Sequence, residues 1–475
     1  MNFEPVIGLE IHVQMKTRSK MFSSSPNSFS HEPNTEVTPF DMAYPGTMPR
    51  VNKQAVINAI RVANALHMTI DPLVRFDRKN YFYSDLPKGF QITQQFHPIG
   101  SNGYLDILDE RGNTKRVRIE RIHMEEDTCK QVHFPDCSLL DYNRAGTPLV
   151  EIVSMPDIAS GTEAMHYVEA IRNIVVYSLT SDGKMEEGSL RCDVNVSLRP
   201  VGYKGFGTKV ELKNLNSIKN IQLALDYEIK RQEACLLSST PIAQETRRFD
   251  EASGKTVLMR VKTDAVDYKY FPEPNIAPIL LSEQFVKDAI DSCPELYEEK
   301  KERYLKLGLP LQDVEVILSS LQLASYFEKA LEDGGNAKVI ANFLLGEVLG
   351  YLNKKGKGLS EIGVEASLLS SCAKKQDEGY SHKQCADALI YCLDHLCGVD
   401  EAFEALHIQK QVSDEGAIKA LVEQVLEANP KSIADYKSGN GRAMGFLIGQ
   451  CMKLGKGKVS PQAVSKVMAE ELAKR

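Results

Sequence analysis

The chain has 475 residues, is 43% hydrophobic and 25% charged, and carries a formal net charge of −7. That length suggests roughly two to four globular domains, and the acidic balance excludes a protein that coats nucleic acid by bulk charge. No apolar run approaches a membrane span, the start MNFEPVIGLE lacks the pattern of a signal or transit peptide, and the ten cysteines are scattered without a C-x-x-C pair, pointing to reduced thiols in a cytoplasmic protein.

From the N-terminus, period-two patterns predict strands over 6–14, 104–108, 116–125, 148–154, 190–199 and 208–214. Helical periodicity predicts helices over 52–66, 161–179 and 217–236, the second opened by a capping-box spacing from Ser160 to Glu163. The order is not a regular βαβα repeat, so the expected fold is α+β with a mixed or antiparallel sheet. Strand signals stop near Cys293, and the pattern is then helical. The expected domains are 1–293, a sheet-containing cradle; 294–407, all helical; and 408–475, a small helical tail. Ser460-Pro461 is a good start for a terminal helix. From Lys431 onward nine basic residues face three acidic ones, net +6, leaving −13 on the rest. An acidic body with a basic tail suggests two tasks.

In VIGLEIHVQ (6–14), Ile7, Leu9, Ile11 and Val13 share one strand face, and Glu10 and His12 lie on the other. The pattern recurs. LRCDVNVSLR sets Arg191, Asp193 and Asn195 opposite an apolar face, and TKVELKN sets Lys209, Glu211 and Lys213 opposite Val210 and Leu212. In RIERIHMEEDT, His123 and Glu125 share a face, and in PLVEIVS an acid, Glu151, interrupts an aliphatic run. A polar strand face is most often simply solvated. A carboxylate among aliphatic neighbours is costly to bury, however, and if these strands share a sheet their acids converge. Converging carboxylates call for protonation or a cation, and carboxylate oxygens favour a hard ion such as Mg²⁺. The chain lacks H-E-x-x-H, a G-x-x-x-x-G-K-[ST] loop and a G-x-G-x-x-G turn. Any ATP would therefore be handled through metal-held phosphates. In DRKNYFYSDLPKGFQ (77–91), Arg78, Lys79 and Lys88 interleave with aromatics. Phosphate contact and an ordinary Tyr-rich strand explain that stretch equally well.

At these same residues the chain resembles the B subunits of the tRNA-dependent amidotransferases, the GatB/GatE family. The phrases that carry the resemblance are VIGLEIHVQ, FDRKNYFYSDLPKGFQITQ, HMEEDT, NRAGTPLVEIVS, MEEGSLRCDVNVSLR, ELKNLNS, LMRVK, YKYFPEP and GRAMGFLIGQCMK, in unbroken order along the chain. The resemblance implies a ligase subunit that uses ATP and Mg²⁺ to phosphorylate the side-chain carboxylate of Glu-tRNA(Gln) or Asp-tRNA(Asn), ammonia then displacing phosphate. It implies metal ligands Glu10, His12, Glu125, Asp193 and Glu211, with Glu151 at or beside the ion. Glu10 and Glu125 are the acids expected to matter most for catalysis. Arg191, Lys209 and Lys213 are candidates for nucleotide phosphates, and Lys79 and Lys88 for the approach of ammonia or substrate. The chain has no Gly/Ser-rich amidase signature. The implied partners are therefore a glutaminase of the amidase type and a small bridging protein, the three forming a heterotrimer. The resemblance also implies tRNA held by the tail through Arg442, Lys453, Lys456 and Lys458, and no membrane. Where many members of the family carry zinc-binding cysteines, this chain has Ser23, Ser25, Thr38 and Asp41. No zinc is expected there, and the loop KMFSSSPNSFSHEPNTEVTPFD is expected to be held by packing. Two other readings of the same residues are a stand-alone metal phosphohydrolase or nuclease, and a pure tRNA-binding module.

Overall fold

A computed structural model of the chain describes residues 2–28, 32–261, 267–361, 363, 365–409, 415–437, 442–455, 459 and 461–474. The chain divides into two compact units, Met1–Tyr297 and Glu298–Arg475. The fold is α+β, as the sequence pattern predicts: strands fall in the first unit, the last at Ile279–Leu280, and the elements from Glu283 onward are helices.

The first unit is organised by a nine-stranded sheet. Its strands are β1 (Phe3–Gln14), β2 (Thr69–Ile70), β3 (Gly100–Leu108), β4 (Thr114–Glu126), β5 (Pro148–Ser154), β6 (Leu190–Pro200), β7 (Val210–Lys213), β8 (Glu245–Asp250) and β9 (Lys255–Val261). Across the sheet the order is β9-β8-β7-β6-β1-β5-β4-β3-β2. Only β7 and β8 pair in parallel, with a helical crossover between them; the other pairs are antiparallel.

Register follows from the alternating pattern, because a one-residue slip would expose every apolar side chain of β1. Ile7, Leu9, Ile11 and Val13 of β1 are buried beside Cys192, Val194 and Val196 of β6, Val210 and Leu212 of β7, and Val150 and Ile152 of β5. This face shares one core with helices α1 (Lys53–Ala65), α2 (Gly161–Tyr177) and α3 (Ile218–Leu237). Each helix starts on a polar cap that satisfies its first amides: Asn52, Ser160 and Ser217 accept from the backbone N–H groups of Ala55, Glu163 and Asn220. The capping box at α2 is only half formed. The Glu163 carboxylate turns to the Ala159 N–H and to Lys115 instead of Ser160.

The edge pair β8–β9 has no period-two apolar signature, and sequence pattern does not predict it. It is secured by charge: Arg247 of β8 lies 3.6 Å from the fully buried Glu228 of α3 and 2.8 Å from Glu245.

The loop 20–41 is held by packing, as expected, through Met21 and Phe22 buried in the main core, and by a polar network as well. Asp41, 3% exposed, accepts the Ser23 hydroxyl at 2.8 Å and both the N–H and the hydroxyl of Thr38 at 2.8 Å. The Ser25 N–H reaches Ser23 Oγ, and the Lys20 ammonium lies 3.9 Å from Asp41. Phe29, Ser30 and His31 of this loop lie outside the described residues.

In the second unit, Ile418, Val422, Leu426, Leu447, Cys451, Val464 and Met468 form a separate core from the helices Glu415–Ala428, Arg442–Leu454 and Pro461–Lys474. Ser460, expected to cap the last of these, lies outside the described residues. All ten cysteines are free, with Cys385 and Cys392 in the interior. Among the described residues no helix is long and apolar enough to cross a membrane.

Candidate metal and phosphate site

The register that buries one face of the sheet collects the acids on the other. Glu10 of β1 stands opposite Asp193 of β6, and His12 stands opposite Glu151 of β5. Glu151 in turn faces His123 of β4, and Leu149 faces Glu125. On the other side Asn195 faces Glu211 of β7. Five adjacent strands therefore bring Glu10, His12, Glu125, Glu151, Asp193 and Glu211 onto one surface.

His12, Glu125 and Glu151 offer ligand atoms that all lie within 4.8 Å of one another. His12 Nε2 is 3.4 Å from Glu151 Oε2 and 3.9 Å from Glu125 Oε1. His123, buried on the same face, places Nε2 3.3 Å from Glu151 Oε2 and 3.8 Å from Glu125 Oε2. Burial opposes charge on both imidazoles, but the two carboxylates overcome it. The pKa of His12 is raised, and that of His123 is pushed up to about 9. Burial likewise opposes charge on Glu151, yet His123 and His12 hold its carboxyl well below the usual range. Two carboxylates and an imidazole within one ion's reach are a suitable donor set for a divalent cation. His123 Nδ1 is buried without a hydrogen-bond partner among the described residues.

Glu10, Asp193 and Glu211 form a second group. Burial, Glu151 and Asp193 raise the pKa of Glu10, and Asn195 donates to its Oε1 at 2.9 Å. The Lys213 ammonium donates to Asp193 and lies 3.4 Å from Glu211, and Thr246 of β8 donates to Glu211 at 2.8 Å. Arg191 is held by the buried Asp127, with Nη2 2.8 Å from Oδ2, and Gln14 donates to the same oxygen. Lys209 is exposed. It helps line a cleft of about 360 Å³ beside Glu10, whose walls include Gly8, Leu9, Pro156, Asn195 and Phe206.

The other expected site residues lie around this surface or away from it. Lys79 sits on a short strand, Asp77–Asn80, with its ammonium 4.8 Å from the centre of the Tyr268 ring. Lys88 donates to the buried Glu126 at 2.7 Å, so its charge serves the neighbour of Glu125. The fully exposed ring of this segment is Phe82, 99% accessible, whereas burial raises the Tyr81 hydroxyl. In the second unit Lys453 is exposed on the helix that Arg442 begins, and Lys456 and Lys458 lie outside the described residues.

Of three further contributors, His123 and Asn195 enter the sequence reading only as members of polar strand faces, with no role assigned, and Asp127 escapes it. His123 is visible there as the residue two before Glu125, on the same strand face. Asn195 and Asp127 give no signal beyond that parity, because their roles are contacts to residues remote in the chain.

A family model described as the GatB/GatE catalytic domain matches residues 5–287, and one described as a GatB domain matches residues 325–472. The B subunit of the aspartyl/glutamyl-tRNA(Asn/Gln) amidotransferase of Shouchella clausii (strain KSM-K16) is 48% identical over 477 residues. That of Staphylococcus haemolyticus (strain JCSC1435) is 48% identical and that of Bacillus thuringiensis (strain Al Hakam) 46% identical, each over 476 residues. In all three cases the similarity covers 100% of both chains.

Proposed function

The chain belongs to the GatB/GatE family, and from that premise we propose that it is the carboxylate-activating subunit of a cytoplasmic, glutamine-dependent tRNA amidotransferase. Its substrates are ATP and a misacylated Glu-tRNA(Gln) or Asp-tRNA(Asn). The observation that carries this reading is the convergence of His12, Glu125 and Glu151, continued by Glu10, Asp193 and Glu211, on one sheet face.

Mg²⁺ fits this donor set, since it takes only a few carboxylates from a protein and keeps water for the rest. His12, Glu125 and Glu151 would hold it, with Glu10, Asp193 and Glu211 available beside them. Bound there, it supplies charge neutralisation for the phosphates. The cleft beside Glu10 suits the nucleotide: Pro156 and Phe206 offer apolar surface for a base, and Lys209 offers a cation for phosphate. Arg191 and Lys213 complete the cationic rim.

The chemistry asks the chain mainly to position and to neutralise. An oxygen of the substrate carboxylate attacks the γ-phosphorus, the bond to ADP breaks, and an acyl phosphate forms. Ammonia then attacks the carbonyl carbon, and phosphate leaves with one of its protons. Ammonia comes from a partner glutaminase of the amidase type, a small third protein bridges the two, and Lys79 and Lys88 line the approach. The helical part 294–407 and the tail 408–475, with Arg442, Lys453, Lys456 and Lys458, hold the tRNA body. No zinc is required, since Ser23, Ser25, Thr38 and Asp41 offer no thiolate.

The test is substrate dependence. The assembled trimer is expected to turn over ATP only with misacylated tRNA and to release Gln-tRNA or Asn-tRNA. Full ATP turnover by the isolated chain without tRNA would instead identify a phosphohydrolase.

A further inference from the structure

Across the polar face of the sheet the sign of the charge changes. The acids run from β4 through β5, β1 and β6 to Glu211 of β7, and basic residues gather on the far side, where Asp250 of β8 is the further acid. Lys209 precedes β7, Lys213 ends it, and Arg248 and Arg260 lie on β8 and β9. Lys213 is engaged by Asp193 and Glu211. Arg248 is 45% exposed and only 3.7 Å from Asp250. Lys209 and Arg260 are exposed, and neither forms an ion pair among the described residues.

Arg260 reaches this face because of a β-bulge. Arg248 pairs with Val257 and Arg247 with Leu258, but Thr246 pairs with Arg260, so Met259 is the extra residue. Without it, Arg260 would follow Leu258 to the helix-covered side. Thr246 marks the polar side, because its hydroxyl bonds Glu211. Val257 shares that side and is exposed, and Phe206, 68% accessible, stands at the neighbouring cleft.

We infer that this basic end of the sheet, through Arg248 and Arg260, receives the sugar-phosphate chain of the single-stranded 3′ end of the aminoacyl-tRNA. The inference rests on the proposed function. The reacting carboxylate hangs from that 3′ end, so when it reaches the acids the last phosphates lie close by. Phosphates are repelled by Glu10, Glu125, Glu151 and Asp193 and attracted by cations on the same surface. From β1 to β9 is four strand spacings, roughly 19 Å at about 4.8 Å each, room for several nucleotides. Val257 gives sugars and bases an apolar surface that is indifferent to sequence, as a terminal segment common to different tRNAs requires.

The experiment uses the assembled amidotransferase carrying Arg248→Gln, Arg260→Gln or Arg260→Lys. For each Gln variant the KM for misacylated tRNA is expected to rise roughly three- to tenfold, and the slope of log affinity against log salt to shrink by about 0.7. The KM for ATP should stay at the parent value, and Arg260→Lys should restore most of the tRNA affinity. Unchanged tRNA KM and salt slope, in an assembly whose parent shows tRNA-dependent ATP turnover, overturns the inference and leaves the proposed function standing. Loss of a partner protein on size exclusion, with the tRNA KM unchanged, also overturns it and makes the strip a protein interface. If the parent itself lacks tRNA-dependent turnover, the functional reading and this inference fall together.

Discussion

Glu151 and His12 face each other directly across the β1–β5 ladder, with His12 Nε2 3.4 Å from Glu151 Oε2. Glu151 meets His123 at 3.3 Å on its other side, so one carboxylate joins three strands. Replacing it by Gln keeps the shape but removes the charge that gathers the site. Glu151→Gln is expected to lower amide formation more than the roughly 10- to 100-fold typical of losing a residue that merely orients a ligand. Binding of tRNA, read by filter retention, should stay at the parent level. Retained activity would place the ion elsewhere on the sheet.

His123 lies 3.3 and 3.8 Å from the two acids on the same face and is buried. Its effect should fall on metal affinity. His123→Ala is expected to raise the Mg²⁺ concentration for half-maximal ATP turnover by roughly 10- to 100-fold, with activity recovering at high Mg²⁺. A rate loss that Mg²⁺ cannot restore would make His123 a structural residue alone.

The apolar half of the sheet was legible in sequence because burial imposes a period of two on β1, β6 and β7. The acids were legible for the same reason, as the other parity of those strands. Their convergence was not, because it depends on β1 lying between β5 and β6, strands more than a hundred residues away. The β8–β9 edge escaped notice because Arg247 is satisfied by Glu228 and Glu245, a long-range arrangement with no periodic signature. Family resemblance named five ligands, with Glu151 at or beside the ion. Geometry separates them into His12, Glu125 and Glu151, which already lie within one ion's reach, and Glu10, Asp193 and Glu211, two of which are tied to Lys213.

Lys20 is a fully buried cation beneath the early loop. Its ammonium donates to the Glu36 carbonyl at 2.7 Å and the Tyr142 carbonyl at 3.3 Å, beside Asp41. Lys20→Met leaves Asp41 buried without a cation and is expected to cost about 3–5 kcal/mol, read from urea denaturation. Lys20→Met with Asp41→Asn should recover part of that loss. Metal analysis of the parent should find no stoichiometric zinc, and zinc that disappears on replacing Asp41 would overturn this account of the loop.

Asp127 connects the site to acid stability. Burial alone would raise its pKa, but Arg191 and Arg144 reverse that and hold it below the ordinary carboxylate value. A carboxyl whose folded pKa lies below its unfolded one contributes stability that is fully present above the unfolded value, near 4. That contribution is lost as pH falls through the folded value. Chemical denaturation between pH 7 and pH 3 should therefore show the parent losing stability below about pH 4. Asp127→Asn is expected to start lower at pH 7, by roughly 1 kcal/mol, since Arg191 loses a charge-assisted hydrogen bond but is partly solvated, and to fall less steeply in acid. The two curves should converge as the pH approaches the folded pKa of Asp127. Parallel curves would mean that Asp127 keeps its ordinary affinity for protons.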